Sequence, residues 1–241
     1  NFGMTLGIRD TRKIDAQYNM TEHDVREQAR FDDSIGIYPE FIDGYGILVL
    51  PTTGRYFSLP FRNLLPKGVG NLRALTLRGG ASVLQYRAKK LVPNLKANQA
   101  QALQVLCKKY RVPLIINDDA NLAASMSASG VHLGSQDMPI GEAHQSLLSG
   151  MLVGVSCYNE LPLAIAAEKN GADYVAFGSF FQSTTKPNAV RPSLDLLRDA
   201  KKKIACPIVA IGGITLHNAP ELIDAGAGAV AVISGLFGAQ D

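Results

Sequence analysis

Several features are scarce or missing in this sequence, and each absence removes a class of protein. No apolar run approaches the roughly 20 residues that a membrane-spanning helix needs, so we expect no membrane contact. The 241 residues include three scattered cysteines, Cys107, Cys157 and Cys206, with no C-x-x-C spacing. An odd, scattered set predicts neither a disulfide framework nor a zinc site, and it favours a reduced cytoplasmic setting.

The sequence also has no large excess of positive or negative charge. The formal net charge is +3, and charged residues make up 19% of the chain. A nucleic-acid-binding surface needs a dense cluster of lysine and arginine, so we expect no nucleic acid partner. The hydrophobic content of 46% is typical of an ordinary folded protein. A mildly basic protein of this kind suits small anionic substrates.

What the chain does contain is a regular alternation of short apolar runs and longer amphipathic segments. The runs cover 46–51, 82–87, 113–117, 131–134, 152–156, 174–178, 207–213 and 229–234. Most are continuously apolar, as expected for parallel strands that are covered on both faces. We therefore predict an α/β fold, a (β/α)8 TIM barrel over residues 45–241. An open doubly wound sheet is the alternative, but no G-x-G-x-x-G follows the first run.

Both ends of the chain depart from a simple barrel. Residues 1–44 precede the first run and form a predicted N-terminal extension. Thr21 followed by Asp24 resembles a capping box, so we predict a helix around 21–31, with a disordered or exchanged arm as the alternative. After Ser234 the chain has only "GLFGAQD", which predicts a short or missing eighth helix.

Polar residues cluster where the second and third runs end. In a (β/α)8 barrel, the loops after the carboxyl ends of the strands form the active site. Gln85, Arg87 and Lys89 alternate along the second run, so they share one side of a strand. Asn117 ends the third run. These positions predict an anion-binding edge, with a solvated charged surface as the alternative.

Carboxylates follow the third and fourth runs. Asp118 and Asp137 lie in neighbouring predicted loops, and two carboxylates suit Mg²⁺, which completes its coordination with water and phosphate oxygens. A cap or turn role for each aspartate is the alternative. Asp119 is instead predicted to be the N-cap of the helix that follows it. His132 lies inside the fourth run and is predicted to be a satisfied core histidine.

Hydroxyls, glycines and one lysine follow the remaining runs. Ser156 ends the fifth run, and because no G-x-S-x-G surrounds it we predict a hydrogen-bonding role. The segment after the sixth run has donors for phosphate oxygens, namely Ser183, Thr185 and Lys186. Phosphate sites in this fold are often built after strands seven and eight. The residues predicted to contribute there are Gly213, Ile233 and Ser234.

These motifs, taken together and in this order, resemble the thiamine phosphate synthase family. The shared segments are "QYRAK", "ND", "GVHLGSQD", "GVS", "GADYVAFG", "TTKPNA", "VAIGGI" and "AVIS". The resemblance implies a Mg²⁺-dependent transferase that joins hydroxymethylpyrimidine diphosphate to a thiazole phosphate. Barrels of this family are often dimers, so the resemblance also suggests a homodimer.

The resemblance also implies a role for each matching residue. Gln85 would bind the pyrimidine, and Ser156 would face its reacting carbon. The implied diphosphate ligands are Arg87, Lys89 and Asn117, and the implied Mg²⁺ ligands are Asp118 and Asp137. Phosphate groups would be bound by Ser183, Thr185, Lys186, Gly213, Ile233 and Ser234. Lys186, Ser156 and Arg87 are the implied catalytic residues.

Some positions depart from the family pattern, and two other functions remain open. Tyr158 stands where many relatives carry histidine, and Ala88 stands where an acidic residue is common. A related thiazole tautomerase would need neither a diphosphate nor a Mg²⁺ site. The residues that argue against it are Arg87, Lys89, Asp118 and Asp137. A non-catalytic phosphate-binding protein is the third hypothesis, and it predicts ligand binding without turnover.

Overall fold

A computed structural model describes residues 45–51, 81–89, 91–182 and 190–233, and for 45–51 it describes the backbone alone. Within these residues the strands close into one barrel in the order of the chain. They are β1 Tyr45–Pro51, β2 Val83–Arg87, β3 Leu114–Asn117, β4 Gly130–Leu133, β5 Leu152–Tyr158, β6 Tyr174–Gly178, β7 Ile208–Ile211 and β8 Ala229–Val232. The predicted barrel is confirmed.

Helices connect the successive parallel strands. They are α1 Pro93–Tyr110, α2 Ala120–Ser125, α3 Ile140–Ser146, α4 Leu161–Lys169, α5 Leu194–Lys203 and α6 Ala219–Asp224. The longest, α1, begins with Pro93 at a position where a missing N–H is tolerated. It ends where Arg111 turns into the left-handed region at φ 55°. No helix among the described residues is long and apolar enough to cross a membrane.

The direction of β1 differs from the predicted parallel arrangement. Neighbouring strands from β2 to β8 are all parallel, whereas β1 runs antiparallel to both of its neighbours. Its residue Leu48 is opposite both Leu84 of β2 and Val232 of β8. A strand of either direction can pair with the backbone N–H and C=O groups of two open edges. The apolar character of 46–51 therefore predicted the strand but not its direction.

Two apolar clusters fill the space between the barrel and its helices. One packs β2–β4 against α1–α3, with Leu84, Leu114 and Ile116 fully buried. The other packs β5–β8 against α4–α6 around Phe177 and Leu197, which are also fully buried. Each such side chain contributes about 1.5–3 kcal/mol on burial. The continuous apolar runs thus correspond to strands that are covered by helices.

The inner face of the barrel is polar on one side and apolar on the other. Strand register places Asn117, His132, Gly154 and Tyr174 on one face, because each pairs with the next across neighbouring strands. A second ladder continues from Ser156 through small apolar residues, Ala176, Val209 and Ala229. Ala176, Val209, Ala229 and Ala231 form a separate buried cluster. The polar chemistry of the interior therefore lies on β2–β6.

Two predictions about the chain ends concern residues that the structure does not describe. The predicted helix at 21–31 lies within the undescribed residues 1–44, and the short tail lies within 234–241. Both therefore remain predictions, as does the domain boundary at residue 45.

Candidate active site

The predicted loops after β2, β3 and β4 meet at the carboxyl end of the barrel. There Lys89 Nζ lies 2.8 Å from Asp118 Oδ2. Asp137 lies beside this pair, because its carboxyl group is hydrogen-bonded to that of Asp118. A groove of about 680 Å³ opens beside Lys89 and Asp118, along α1 and α2, and Lys96 and Asp119 also line it. Three residues that are separated along the sequence thus form one charged cluster.

Asp118 is held in an unusual backbone conformation. Its φ is 67°, in the left-handed region, which aspartate adopts more readily than most residues. Its N–H donates to the carbonyl oxygen of His132 at 2.8 Å, and this bond ties it to the end of β4. Burial raises the pKa of Asp118, but hydrogen bonds from Lys89 and Asp137 and the charge of Arg87 outweigh it and hold the pKa below its usual range. Asp118 is thus a carboxylate at neutral pH.

Asp137 closes a short turn after β4. Its Oδ2 accepts a hydrogen bond from the N–H of Gly134 at 2.7 Å, and its own N–H donates to the carbonyl oxygen of Gly134 at 3.2 Å. Burial raises the pKa of Asp137, and the neighbouring Asp118 raises it further. The hydrogen bond from the Gly134 N–H lowers this pKa in part. The two carboxyl groups therefore have pKa values that move in opposite directions, as expected for like charges in contact.

The pair of Asp118 and Asp137 has the chemistry of a divalent cation site. Hard cations take oxygen ligands, and Mg²⁺ typically uses one or two carboxylates together with water and phosphate oxygens. Burial is the main cause of the raised pKa of Asp137, and the neighbouring carboxyl group of Asp118 adds to it; a cation would offset both effects. Among the described residues, no group of three or more His, Cys, Asp or Glu side chains could hold a metal. The residues fit an ion that a substrate helps to bind.

Tyr158 supports the turn that carries Asp137, and the sequence did not predict this contact. Its hydroxyl lies 3.0 Å from Ser135 Oγ and accepts from the Ser135 N–H at 3.3 Å. A β-bulge between Ser156 and Tyr158 and a φ of 52° at Tyr158 direct the ring toward this turn. The one available signal in the sequence was that Tyr158 departs from the pattern of the family that the motifs resemble.

Asp119, next to Asp118, has a structural role, as predicted. Its Oδ1 accepts a hydrogen bond from the N–H of Leu122 at 2.9 Å and so caps the start of α2. Its Oδ2 pairs with Lys96 Nζ of α1 at 2.8 Å. The N-cap prediction is confirmed.

A chain of polar side chains connects β4, β5 and β6 inside the barrel. His132 is buried, which confirms its prediction as a satisfied core histidine. Its Nδ1 is 3.0 Å from the Tyr174 hydroxyl, and its Nε2 is 2.9 Å from Ser156 Oγ. The sequence had placed no base near Ser156. However, the other nitrogen of His132 lies beside a phenol, so His132 forms no Ser–His–carboxylate triad with the described residues.

Gln85 lies at the other end of this chain with an unsatisfied atom. The residue is 5% exposed, and its Oε1 has no hydrogen-bond partner among the described residues. Burial raises the pKa of Tyr174 well above its usual range, and a hydrogen bond from the Gln85 side chain opposes that shift in part. A buried acceptor without a partner costs free energy, so it indicates a place for a ligand donor.

The remaining predicted residues are distributed around the same opening. Arg87 ends β2 and Asn117, which is buried, ends β3. Gly213 follows β7 at φ 61°, and a Cβ there would overlap the carbonyl oxygen of Gln182, so glycine is required. Ile233 follows β8 and packs against the inner apolar cluster. Four predicted residues lie outside the described residues: Ser183, Thr185, Lys186 and Ser234.

Comparison with known families gives two matches along the chain. Residues 70–236 match the family model described as thiamine monophosphate synthase. Residues 1–76 match a model described as FAD dependent oxidoreductase. This second match covers less than half of the chain. It extends beyond the predicted extension of 1–44.

Individual relatives agree with the first match. The chain is 52% identical over 186 residues to a thiamine-phosphate synthase from Nitrosococcus oceani, covering 77% of this chain and 86% of the relative. It is 55% identical over 165 residues to a thiamine-phosphate synthase from Nitrosospira multiformis, covering 68% and 70%. A solved thiamine phosphate pyrophosphorylase from Pyrococcus furiosus superposes with a TM-score of 0.64 at 36% identity, covering 75% of this chain and 85% of that structure.

Proposed function

The chain belongs to the thiamine monophosphate synthase family, a family of transferases, and we propose that it joins hydroxymethylpyrimidine diphosphate to thiazole phosphate. The products are thiamine phosphate and pyrophosphate. The observation that carries the proposal is that the same barrel presents two features. Lys89, Asp118 and Asp137 form a charged cluster in the loops after β2, β3 and β4, and Gln85 on β2 has a buried acceptor without a partner among the described residues. A heterocycle that bears a diphosphate needs both features.

We assign a role in this reaction to each predicted site residue that the structure describes. Gln85 and Ser156 bind the pyrimidine ring, and Arg87, Lys89 and Asn117 hold its diphosphate. Asp118 and Asp137 would hold Mg²⁺, which would supply positive charge for the diphosphate. Gly213 and Ile233 lie on the opposite side of the barrel and contact the thiazole phosphate.

The reaction exchanges one bond for another. The C–O bond between the pyrimidine methylene and the diphosphate breaks, and its electron pair leaves with pyrophosphate. The thiazole nitrogen then donates its lone pair to the methylene carbon and forms the new C–N bond. Lys89 and Arg87 stabilise the negative charge that develops on the departing group. Because the ring substituents stabilise the cationic methylene, Ser156 need not act as a nucleophile.

Four further assignments follow from the sequence and are part of the proposal. Ser183, Thr185 and Lys186 bind phosphate oxygens between the two substrates, and Ser234 contributes to the thiazole phosphate site.

The enzyme acts on small molecules as a homodimer, without nucleic acid or membrane partners. Three unpaired cysteines, two of them buried, suit a reducing cytoplasmic compartment. Residues 45–241 form the catalytic barrel, and 1–44 are an extension.

The test of this function is product identification. The full chain is incubated with both substrates and Mg²⁺, and thiamine phosphate and pyrophosphate are measured separately. We expect the two products in a one-to-one ratio and neither product when either substrate is omitted. Folded protein that forms no thiamine phosphate contradicts the proposal. Pyrophosphate without thiamine phosphate would indicate hydrolysis instead of transfer.

A further inference from the structure

The polar chain inside the barrel has a direction, and this direction can be deduced from its ends. The chain runs from Gln85 through Tyr174 and His132 to Ser156. The Oε1 of Gln85 has no hydrogen-bond partner among the described residues. The hydrogen bond between the Gln85 side chain and the Tyr174 hydroxyl is therefore donated by the Gln85 amide N–H. The donor end of the amide therefore faces inward, and the acceptor end is available to a ligand.

The remaining members of the chain follow from this first bond. Since the Tyr174 oxygen accepts from Gln85, its own O–H is free to donate to His132 Nδ1 at 3.0 Å. A neutral imidazole that accepts at Nδ1 carries its proton on Nε2. That Nε2–H then donates to Ser156 Oγ at 2.9 Å. The Ser156 hydroxyl hydrogen is left to donate elsewhere.

Packing holds the middle of this chain in one position. Tyr174 lies opposite Gly154 across β5 and β6, and a Cβ at Gly154 would overlap Tyr174 Cζ. The rings of Tyr174 and His132 stack with centroids 5.5 Å apart at an angle of 27°. The absence of a side chain at Gly154 thus makes room for the tyrosine directly beside His132.

We propose that Tyr174 and His132 are positioning residues that fix the direction of this chain and so select an aminopyrimidine over its oxo counterpart. The inference rests on the proposed function. The site presents an acceptor at Gln85 and a donor at Ser156. An exocyclic amine satisfies the Gln85 oxygen, whereas an oxo group at the same carbon places two acceptors against each other. Leaving a buried polar atom unsatisfied in this way reduces binding by roughly 10-fold or more.

The first test reads the tautomer of His132 and does not depend on activity. The chain has four histidines, so ¹⁵N-histidine labelling gives four imidazoles to assign. His23→Gln, His144→Gln and His217→Gln, made singly, identify the signals of the other three. We expect His132 to be neutral, with its proton on Nε2. A proton on Nδ1, or an imidazolium at pH 7, overturns the inference.

The second test measures selectivity with a matched control. Tyr174→Phe removes the hydroxyl in the middle of the chain and keeps the ring. Tyr86→Phe removes another buried hydroxyl, which donates to Gln99 Oε1 at 2.9 Å on the outer face of β2. Dissociation constants are measured in Mg²⁺ for hydroxymethylpyrimidine diphosphate with a 4-amino group and for its 4-oxo counterpart. Melting temperatures of both variants report on folding.

The expected pattern separates positioning from general stability. Wild type and Tyr86→Phe should prefer the amino compound by roughly 10-fold or more, and Tyr174→Phe should reduce that preference to about 3-fold or less. A preference that Tyr174→Phe leaves intact, or that Tyr86→Phe removes equally, overturns the inference. If wild type binds neither compound, the proposed function fails. In that case, or if Tyr174→Phe does not fold, the His132 tautomer decides the direction of the chain.

Discussion

Two lysine–aspartate ion pairs lie side by side, because their aspartates are adjacent in the loop after β3. Their nitrogen–oxygen distances are equal, but their roles differ. Lys89 pairs with Asp118 and Lys96 pairs with Asp119, each at 2.8 Å. Both oxygens of Asp119 are occupied, one by Lys96 and one by the N–H of Leu122. Asp118 instead meets the carboxyl group of Asp137. One pair completes a helix start, and the other adjoins the carboxyl group of Asp137.

The backbone accounts for the difference between these adjacent residues. Asp119 has φ −114°, as an N-cap residue should, whereas Asp118 has φ 67° and is turned away from the helix. The exposed fraction of the lysines differs as well, at 51% for Lys89 and 21% for Lys96. A half-exposed pair contributes little to stability, so Lys89 is available to contact an anion. The distance of an ion pair therefore does not reveal its role.

Replacing the two lysines should give the largest separation between the pairs. Lys89→Met removes a cation from the diphosphate site, so we expect kcat/KM to fall by roughly 10²- to 10³-fold. Lys96→Met removes a cation at the same distance from an aspartate and serves as the matched control. Its kcat/KM should stay within about 2-fold of wild type. Steady-state kinetics with both substrates measures this.

The lysine comparison can also fail in a defined way. Equal losses of kcat/KM in both variants would mean that the Lys96–Asp119 pair also contributes to the site. Melting temperatures are measured alongside, because an unfolded Lys89→Met variant would assign that lysine a structural role. Lys89 is half exposed, so we expect the melting temperature of the Lys89→Met variant to stay close to that of wild type.

Removing the carboxylate of Glu168, in the other half of the barrel, should lower the stability of the protein. Glu168 Oε1 accepts from the N–H groups of Ala205 and Cys206, each at 2.7 Å. Glu168→Ala leaves both donors without this partner, so we expect the free energy of unfolding to fall by about 1.5–3 kcal/mol. Urea denaturation measures the loss. If Glu168→Ala also lowers kcat/KM, Glu168 affects catalysis as well as stability, and the expected contrast with Lys89 is contradicted.

Removing the helix cap should have a smaller effect of the same kind. Asp119→Ala deletes the acceptor for the Leu122 N–H, which typically costs about 1 kcal/mol. Asp119→Asn keeps a capping oxygen and should recover most of that loss. Urea denaturation compares the two variants. If Asp119→Ala unfolds at the same urea concentration as wild type, the cap makes no measurable contribution.

The hydroxyl that supports the turn of Asp137 should have the smallest effect. Tyr158→Phe removes the bonds to Ser135, each worth about 0.5–1.5 kcal/mol, and keeps the ring. We expect the Mg²⁺ concentration for half-maximal rate to rise by roughly 3- to 10-fold. Ser135→Ala with Tyr158→Phe should add little to this rise, since both changes act on one contact. A fully additive pair would show that Tyr158 acts elsewhere.

The apolar pattern of the sequence predicted the strands well, because each strand from β3 to β8 is a short run between turn residues. Strand ends also brought Lys89, Asp118 and Asp137 to one edge, since parallel strands end together. The pattern could not predict the direction of β1, because apolar residues pack equally well in either direction. It could not predict the contacts of Tyr158 and Tyr174 either. These depend on register across strands and on a bulge, which local sequence does not specify.

The most direct test of the account is a Mg²⁺ titration of thiamine phosphate formation by wild type, Asp118→Asn and Asp119→Asn. Both substitutions keep the shape of the side chain and remove its charge. We expect wild type and Asp119→Asn to be activated by Mg²⁺ and silenced by a chelator, with Asp118→Asn slower by roughly 10²-fold or more at every Mg²⁺ concentration. Two aspartate variants with the same Mg²⁺ response, or wild-type turnover that a chelator leaves unchanged, would contradict it.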